Sequence, residues 1–128
     1  MKQGICLNCN IAFKYREKCQ KGKYCSNKCQ RCYEYKTTVD NWLSKNIFPG
    51  IRIKKRFLCE IQENKCKICG ISEWNNNLLI LELDHINGNS NDDKIENLRL
   101  LCPNCHSQTP TYKNKNKGSG RISRRKKN

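Results

Sequence analysis

Cysteines arrive in pairs along this chain, and that pairing limits its folding more than any other feature. Cys6-x2-Cys9, Cys66-x2-Cys69 and Cys102-x2-Cys105 each put two thiols on adjoining backbone, and 32 residues separate Cys69 from Cys102. Such pairs form halves of tetrahedral metal sites. The total of 11 cysteines is odd, and the early apolar residues are interrupted by Cys6, Asn8, Cys9, Asn10 and Lys14, so no stretch reads as a signal peptide. Paired thiols of this kind in a reducing interior are metal ligands rather than disulfides. Two structural zincs and an intracellular location are therefore expected. Leu, Ile, Val and Phe supply only 26 of 128 residues, too few for a core without such staples.

Cys66, Cys69, Cys102 and Cys105 are the expected ligands of one zinc. In the N-terminal part Cys6 and Cys9 are clear, but the second half is either Cys25 with Cys29 or Cys29 with Cys32, with Cys19 also available. We favour Cys25 and Cys29, because KYCSNKC resembles a small treble-clef-like finger in which an aromatic residue precedes the third ligand. Cys19, Cys32 and Cys59 are then spare thiols that behave as small buried hydrophobes.

The net charge is +15, from 26 basic and 11 acidic residues, and two four-thiolate zinc sites would leave it near about +11. A polyanion, and nucleic acid first, is the expected partner. No run approaches the roughly 18 apolar residues of a membrane span. The charge is uneven: +7 over residues 1–36, +4 over 37–72, −4 over 73–112 and +8 over 113–128. A protein that only coats phosphate gains nothing from an acidic island holding Glu73, Glu82, Asp84, Asp92, Asp93 and Glu96. A divalent cation set against phosphate does need a carboxylate nearby.

Four segments are expected. Residues 1–35 form a zinc finger of tight turns and short strands, punctuated by Gly4 and Gly22. Residues 36–63 form a helical connector, with a short helix over 36–46, a break at Phe48-Pro49-Gly50, and a second helix whose apolar side includes Ile51, Phe57, Leu58 and Ile61. Its other side carries Arg52, Lys54, Lys55 and Arg56, a solvated or phosphate-contacting face. Residues 64–112 follow as a second zinc-stapled domain, with strands over 78–86 and 97–102 paired antiparallel across a loop rich in Asn, Asp and Gly. Pro103 suits the first turn of a short helix through Asn104, Cys105 and His106. Residues 113–128, with Gly118-Ser119-Gly120 and no acid, form a flexible basic tail. The fold class is α+β.

Only two histidines are present. His85 follows Asp84 at the end of the first strand, and His106 directly follows the last knuckle cysteine. Phosphodiester hydrolysis needs a base to take a proton from the attacking water and a cation to neutralise the departing 3′ oxygen. His85 suits the first role; Asp84 and His106 suit the second if the fold joins them. His106 as a zinc ligand, and Asp84-His85 as an inert pair, are the structural alternatives.

The run LELDHINGNSNDDKIENLRLLCPNCH, preceded by a CxxC, resembles the HNH nuclease family, with signature residues at His85, Asn97 and His106. The resemblance covers residues 66 to about 112, and SQTPTYKNKNKGSGR is similar to the ends of phage-type and homing-type members. It implies a ββα-metal domain, with His85 as general base, Asp84 and His106 binding a catalytic divalent ion, and Asn97 fixing the loop that aims the imidazole. It also implies products with 5′ phosphate and 3′ hydroxyl ends. Thiolates select zinc, whereas the oxygen, imidazole and water donors of the second site suit Mg2+ or Mn2+.

The expected substrate is double-stranded DNA, with Lys54, Lys55, Arg121, Arg124 and Arg125 as backbone contacts; RNA remains open. The rival reading is a non-catalytic zinc protein that binds nucleic acid and keeps the ββα element as scaffold. Lys, Asn and Ile make up 47 residues, which hints at an AT-rich genome and a bacterial or phage-infected cell. Oligomeric state is not legible.

Overall fold

The structure is a computed structural model that describes residues 1–18 and 22–113. Cys19, Arg121, Arg124, Arg125 and nearly all of the expected tail lie outside these residues. The chain divides into two compact units, Met1–Ile47 and Phe48–Asn128, so the stretch expected as a connector is shared between them.

In the first unit, β1 (Lys2–Ile5) pairs antiparallel with β2 (Ala12–Tyr15), and Cys6 to Ile11 close the hairpin. Gly22 has φ +67°, and a Cβ there would lie 2.5 Å from the Tyr15 ring, so both conformation and space demand glycine. Helix α1 runs from Asn27 to Lys45, starting well before the helix expected at 36. Its start is set by Ser26, whose hydroxyl accepts from the Cys29 N–H at 3.2 Å, and its end by Asn46 in the left-handed conformation. Val39 and Trp42, one turn apart, are buried. With Cys6 they are the buried apolar side chains of this unit among the described residues, a core too small to stand alone.

The second unit begins with α2 (Ile51–Ile61). Leu58 is buried as expected, but Ile51 and Ile61 are exposed. The inward face is instead Lys54, Leu58 and Gln62, spaced four apart. A two-strand hairpin, β3 (Glu73–Trp74) with β4 (Asn77–Leu78), turns through Asn75 and Asn76, both at positive φ. The strand expected over 78–86 is thereby divided, and only β5 (Glu82–His85) pairs with β6 (Leu98–Leu101). Their antiparallel register sets Asp84 opposite Arg99 and His85 opposite Leu98. Helix α3 (Pro103–Ser107) follows, with Pro103 in its first turn.

Leu58, Leu81, Leu98, Leu100 and Leu101 form the core of this unit. Each such side chain contributes about 1.5–3 kcal/mol on burial. Gln62 completes the join between α2 and β6 by behaving like one more residue of sheet. Its Oε1 accepts from the Leu100 N–H at 3.0 Å and its Nε2 donates to the Leu100 carbonyl at 3.0 Å. No helix of the described residues is long and apolar enough to cross a membrane.

Candidate active site

Two groups of four sulfurs form, Cys6, Cys9, Cys25 and Cys29 in the first unit, and Cys66, Cys69, Cys102 and Cys105 in the second. A tetrahedral zinc with Zn–S bonds of about 2.3 Å sets its sulfurs about 3.8 Å apart. Cys9 and Cys25 are separated by 3.7 Å, Cys25 and Cys29 by 3.5 Å, and Cys69 and Cys102 by 3.7 Å. Ligand type and spacing both fit structural zinc, and it is Cys25 and Cys29 that the fold gathers beside Cys6 and Cys9. Cys32 and Cys59 sit half-buried outside the clusters.

Both clusters are built from the same local geometry. In the first, the Cys6 N–H donates to the Ile11 carbonyl at 3.0 Å and the Asn10 N–H to the Cys6 carbonyl at 2.9 Å. In the second, Cys66 donates to Ile71 at 2.9 Å and Gly70 to Cys66 at 2.9 Å. The remaining two ligands of each cluster come from the start of a helix.

Proton sharing inside the clusters has the pattern a cation would relieve. Burial opposes ionisation of Cys6, but N–H donors from Cys25, Cys9 and Asn8 outweigh it and bring the thiol down to about 6. Cys66 is likewise brought to about 6 against burial, by the backbone of Cys102, Cys69 and Ile68. Cys25 is pushed up to about 12, first by its hydrogen bond with Cys29, and Cys105 to about 12, first by Cys102. Each cluster thus holds one thiol that ionises easily beside one that resists it, and a divalent ion bound to all four sulfurs would replace the remaining protons.

The two histidines are held differently from the cysteines. Strand alternation puts Glu82 and Asp84 on the same side of β5, and together they address both ring nitrogens of His106. Glu82 Oε2 accepts from Nδ1, while Asp84 Oδ1 stands 3.7 Å from Nε2. Tyr112 packs edge-on against the same ring at a centroid distance of 5.1 Å. His106 belongs to neither four-sulfur group. The second oxygen of Asp84 accepts from Arg99 Nε at 2.7 Å, and Asp84 is only 4% exposed.

A Mg2+ or Mn2+ ion about 2.1 Å from each donor spans donors up to about 4.2 Å apart. Asp84 Oδ1 and His106 Nε2 lie within that reach, and an oxygen beside an imidazole is a suitable donor pair. The Glu82 carboxylate fixes the His106 tautomer with the Nε2 lone pair toward Asp84, an arrangement common behind metal-bound histidines.

Asn97 braces the loop between β5 and β6. Its Oδ1 accepts from the Asn87 N–H at 3.0 Å, and its Nδ2 donates to the Asp92 carbonyl at 2.7 Å and to Asn87 Oδ1 at 2.9 Å. Gly88, within this loop, is buried at φ +74°. His85 points into the loop, and its Nε2 meets Asp93 Oδ1 at 2.8 Å.

One expectation needs correction here. Lys54 is no exposed phosphate contact: it is 8% exposed, lies on the Leu58 face of α2, and its Nζ donates to Asp93 Oδ2. Asp93, from the acidic island, is consequently enclosed between Lys54 and His85. Lys55, one position further round the helix, is half-buried.

An antiparallel strand pair followed by a short helix, with Asp84, His85 and His106 at their junction and a four-cysteine cluster bracketing them, defines a ββα-metal domain. Residues 66–110 match the family described as HNH endonuclease. The chain is also 36% identical over 86 residues to the H-N-H endonuclease F-TflIV of Escherichia phage T5, an alignment that covers 66% of this chain. It spans 38% of that relative's length. No solved structure matches the chain.

Proposed function

We propose that the protein is a metal-dependent HNH endonuclease that hydrolyses phosphodiester bonds of double-stranded DNA, leaving 5′ phosphate and 3′ hydroxyl ends. The observation that carries this reading is the pairing of Asp84 Oδ1 with His106 Nε2 at 3.7 Å, directly beside His85 on β5. In it, Asp84 and His106 hold a single Mg2+ or Mn2+, whose contribution when bound is to neutralise charge on the departing 3′ oxygen. His85 accepts the proton of the attacking water as general base. Asn97 acts through the loop bonds that fix the direction of the ring, and Glu82 keeps His106 in the ligand tautomer.

Affinity for DNA is assigned to phosphate contacts from Lys55 and from Arg121, Arg124 and Arg125, supported by the overall charge of +15. The two zinc clusters act as scaffold, and the reduced thiols suit the interior of a bacterial or phage-infected cell.

The test is cleavage of supercoiled plasmid at low salt, with Mg2+, with Mn2+ and with EDTA, comparing the intact protein with a zinc-loaded His85→Ala variant. The reading expects metal-dependent nicking or linearisation that falls by on the order of 10²-fold or more in the variant. Salt-sensitive binding without cutting on any DNA supplied would favour the rival, a zinc-dependent nucleic-acid-binding protein.

A further inference from the structure

A general base of the kind assigned to His85 works only if the correct ring nitrogen is left without a proton, and the surroundings of that ring decide which one. The Asp93 carboxylate can only accept, so at 2.8 Å it fixes the proton of a neutral imidazole on Nε2. Nδ1, which makes no hydrogen bond among the described residues, is left as the basic nitrogen. Asp93 is itself held from behind. Its other oxygen takes a proton donor from Lys54 Nζ, and the side chains of Lys54, Asp93 and His85 are 10%, 16% and 18% exposed. An ammonium has donors and no acceptor, so it in turn fixes which group of residue 93 faces it.

We propose that Lys54 and Asp93 are positioning residues for the nuclease reaction: they form a one-directional chain from α2 through the β5–β6 loop that sets the tautomer and direction of His85. This rests on the assignment of His85 as general base, and it adds two residues that act only through that ring. Lys54 also lies before the first residue of the matched family segment, so the chain reaches outside the HNH signature.

The direction of the chain makes a test possible that a merely structural salt bridge would fail. In Asp93→Asn, Lys54 still demands an acceptor and takes the amide oxygen. The NH2 group is then left facing His85 Nε2, which has to accept, and the ring proton moves to Nδ1. Turnover should fall on the order of 10²-fold with KM little changed, because the base is lost while the binding surface is not. Adding Lys54→Met to Asp93→Asn frees the amide to rotate its oxygen back toward His85. The double variant should therefore be more active than the single one by about tenfold, a coupling that simple loss of stability cannot produce.

The ring proton can be read directly, without DNA or catalytic metal, from long-range 1H–15N correlations of His85 in zinc-loaded protein at mildly alkaline pH. The expected series is Nε2–H in the parent, Nδ1–H in Asp93→Asn and Nε2–H again in the double variant. An Nδ1–H parent, a tautomer unmoved by Asp93→Asn, or a double variant no more active than the single one would overturn the proposal. A parent that cuts no DNA overturns the nuclease reading instead, and the NMR series alone then decides whether Lys54 and Asp93 set the ring. Two bound zincs in every variant show that the fold is intact.

Discussion

Asn10 and Gly70 occupy the same place in two copies of one turn: each N–H closes back on the first cysteine of its cluster, and each residue is left-handed, at φ 58° and φ 72°. A non-glycine residue in that region costs about 1–2 kcal/mol, and Asn is among the few that tolerate it.

Asn10→Gly is accordingly expected to leave thermal stability unchanged or slightly raised, whereas Gly70→Val should lower it by about 1–2 kcal/mol. A Cβ at Gly70 meets nothing within 4 Å, so the loss would be conformational rather than steric. Thermal unfolding of the zinc-loaded variants is the check; an unchanged Gly70→Val midpoint would count against the shared turn.

Because the two clusters sit in separate compact units, Met1–Ile47 and Phe48–Asn128, they should fail separately. Cys29→Ser should halve the bound zinc, from two ions to one, and unravel α1 while leaving the β5–β6 pair folded. Cys105→Ala should remove the other ion and abolish the active site with it. Metal analysis combined with amide exchange in each unit distinguishes these outcomes from a common collapse.

Leu100 is fully buried, and its N–H depends on Gln62 Oε1. Gln62→Leu is expected to cost about 1–3 kcal/mol by stranding that donor. Gln62→Glu keeps an acceptor for that N–H but turns a carboxylate oxygen toward the Leu100 carbonyl, so it should not restore the loss. Urea denaturation gives the magnitude, and faster hydrogen exchange at the Leu100 amide would locate it.

Burial works against the Asp93 carboxylate, yet hydrogen bonds from Lys54 and His85, and their charge, outweigh it and hold the group below its ordinary value of 3.8. A carboxylate whose pKa is lower folded than unfolded binds protons preferentially in the unfolded chain, so its stabilisation is complete above 3.8 and is lost as pH falls through the folded value. Stability measured from pH 6 downward should therefore fall more steeply in the parent than in Asp93→Asn, with the difference confined to the acid end. Parallel slopes would show that Asp93 carries no such linkage.

The cluster ligands and the strand–strand–helix order were legible because they depend on close neighbours in sequence. CxxC spacing, a Pro ahead of a helix and alternation along Glu82, Leu83 and Asp84 are local patterns, and they dictate geometry wherever they occur. The face of α2 was not legible. Lys54 and Gln62 have the letters of a solvated surface, whereas their buried state is decided by Asp93 and Leu100, 39 and 38 residues further on. Ile51 and Ile61 misled for the converse reason, since apolar residues at helical spacing need a surface to cover and α2 presents them outward. The early start of α1 is signalled by Ser26, a good cap, but Cys25 and Cys29 on either side of it carry the spacing of metal ligands, which says nothing about a helix.

The buried Lys54 has a consequence for anyone who would transplant this domain. Cut at its family boundary, residue 66, the fragment would retain every signature residue and both zinc knuckles of its cluster. It would nevertheless leave Asp93 without its cation and Leu100 without its side-chain partner. The smallest portable unit of this domain therefore starts no later than the first turn of α2, and chimeras joined downstream of it would inherit the signature without the support that orients it.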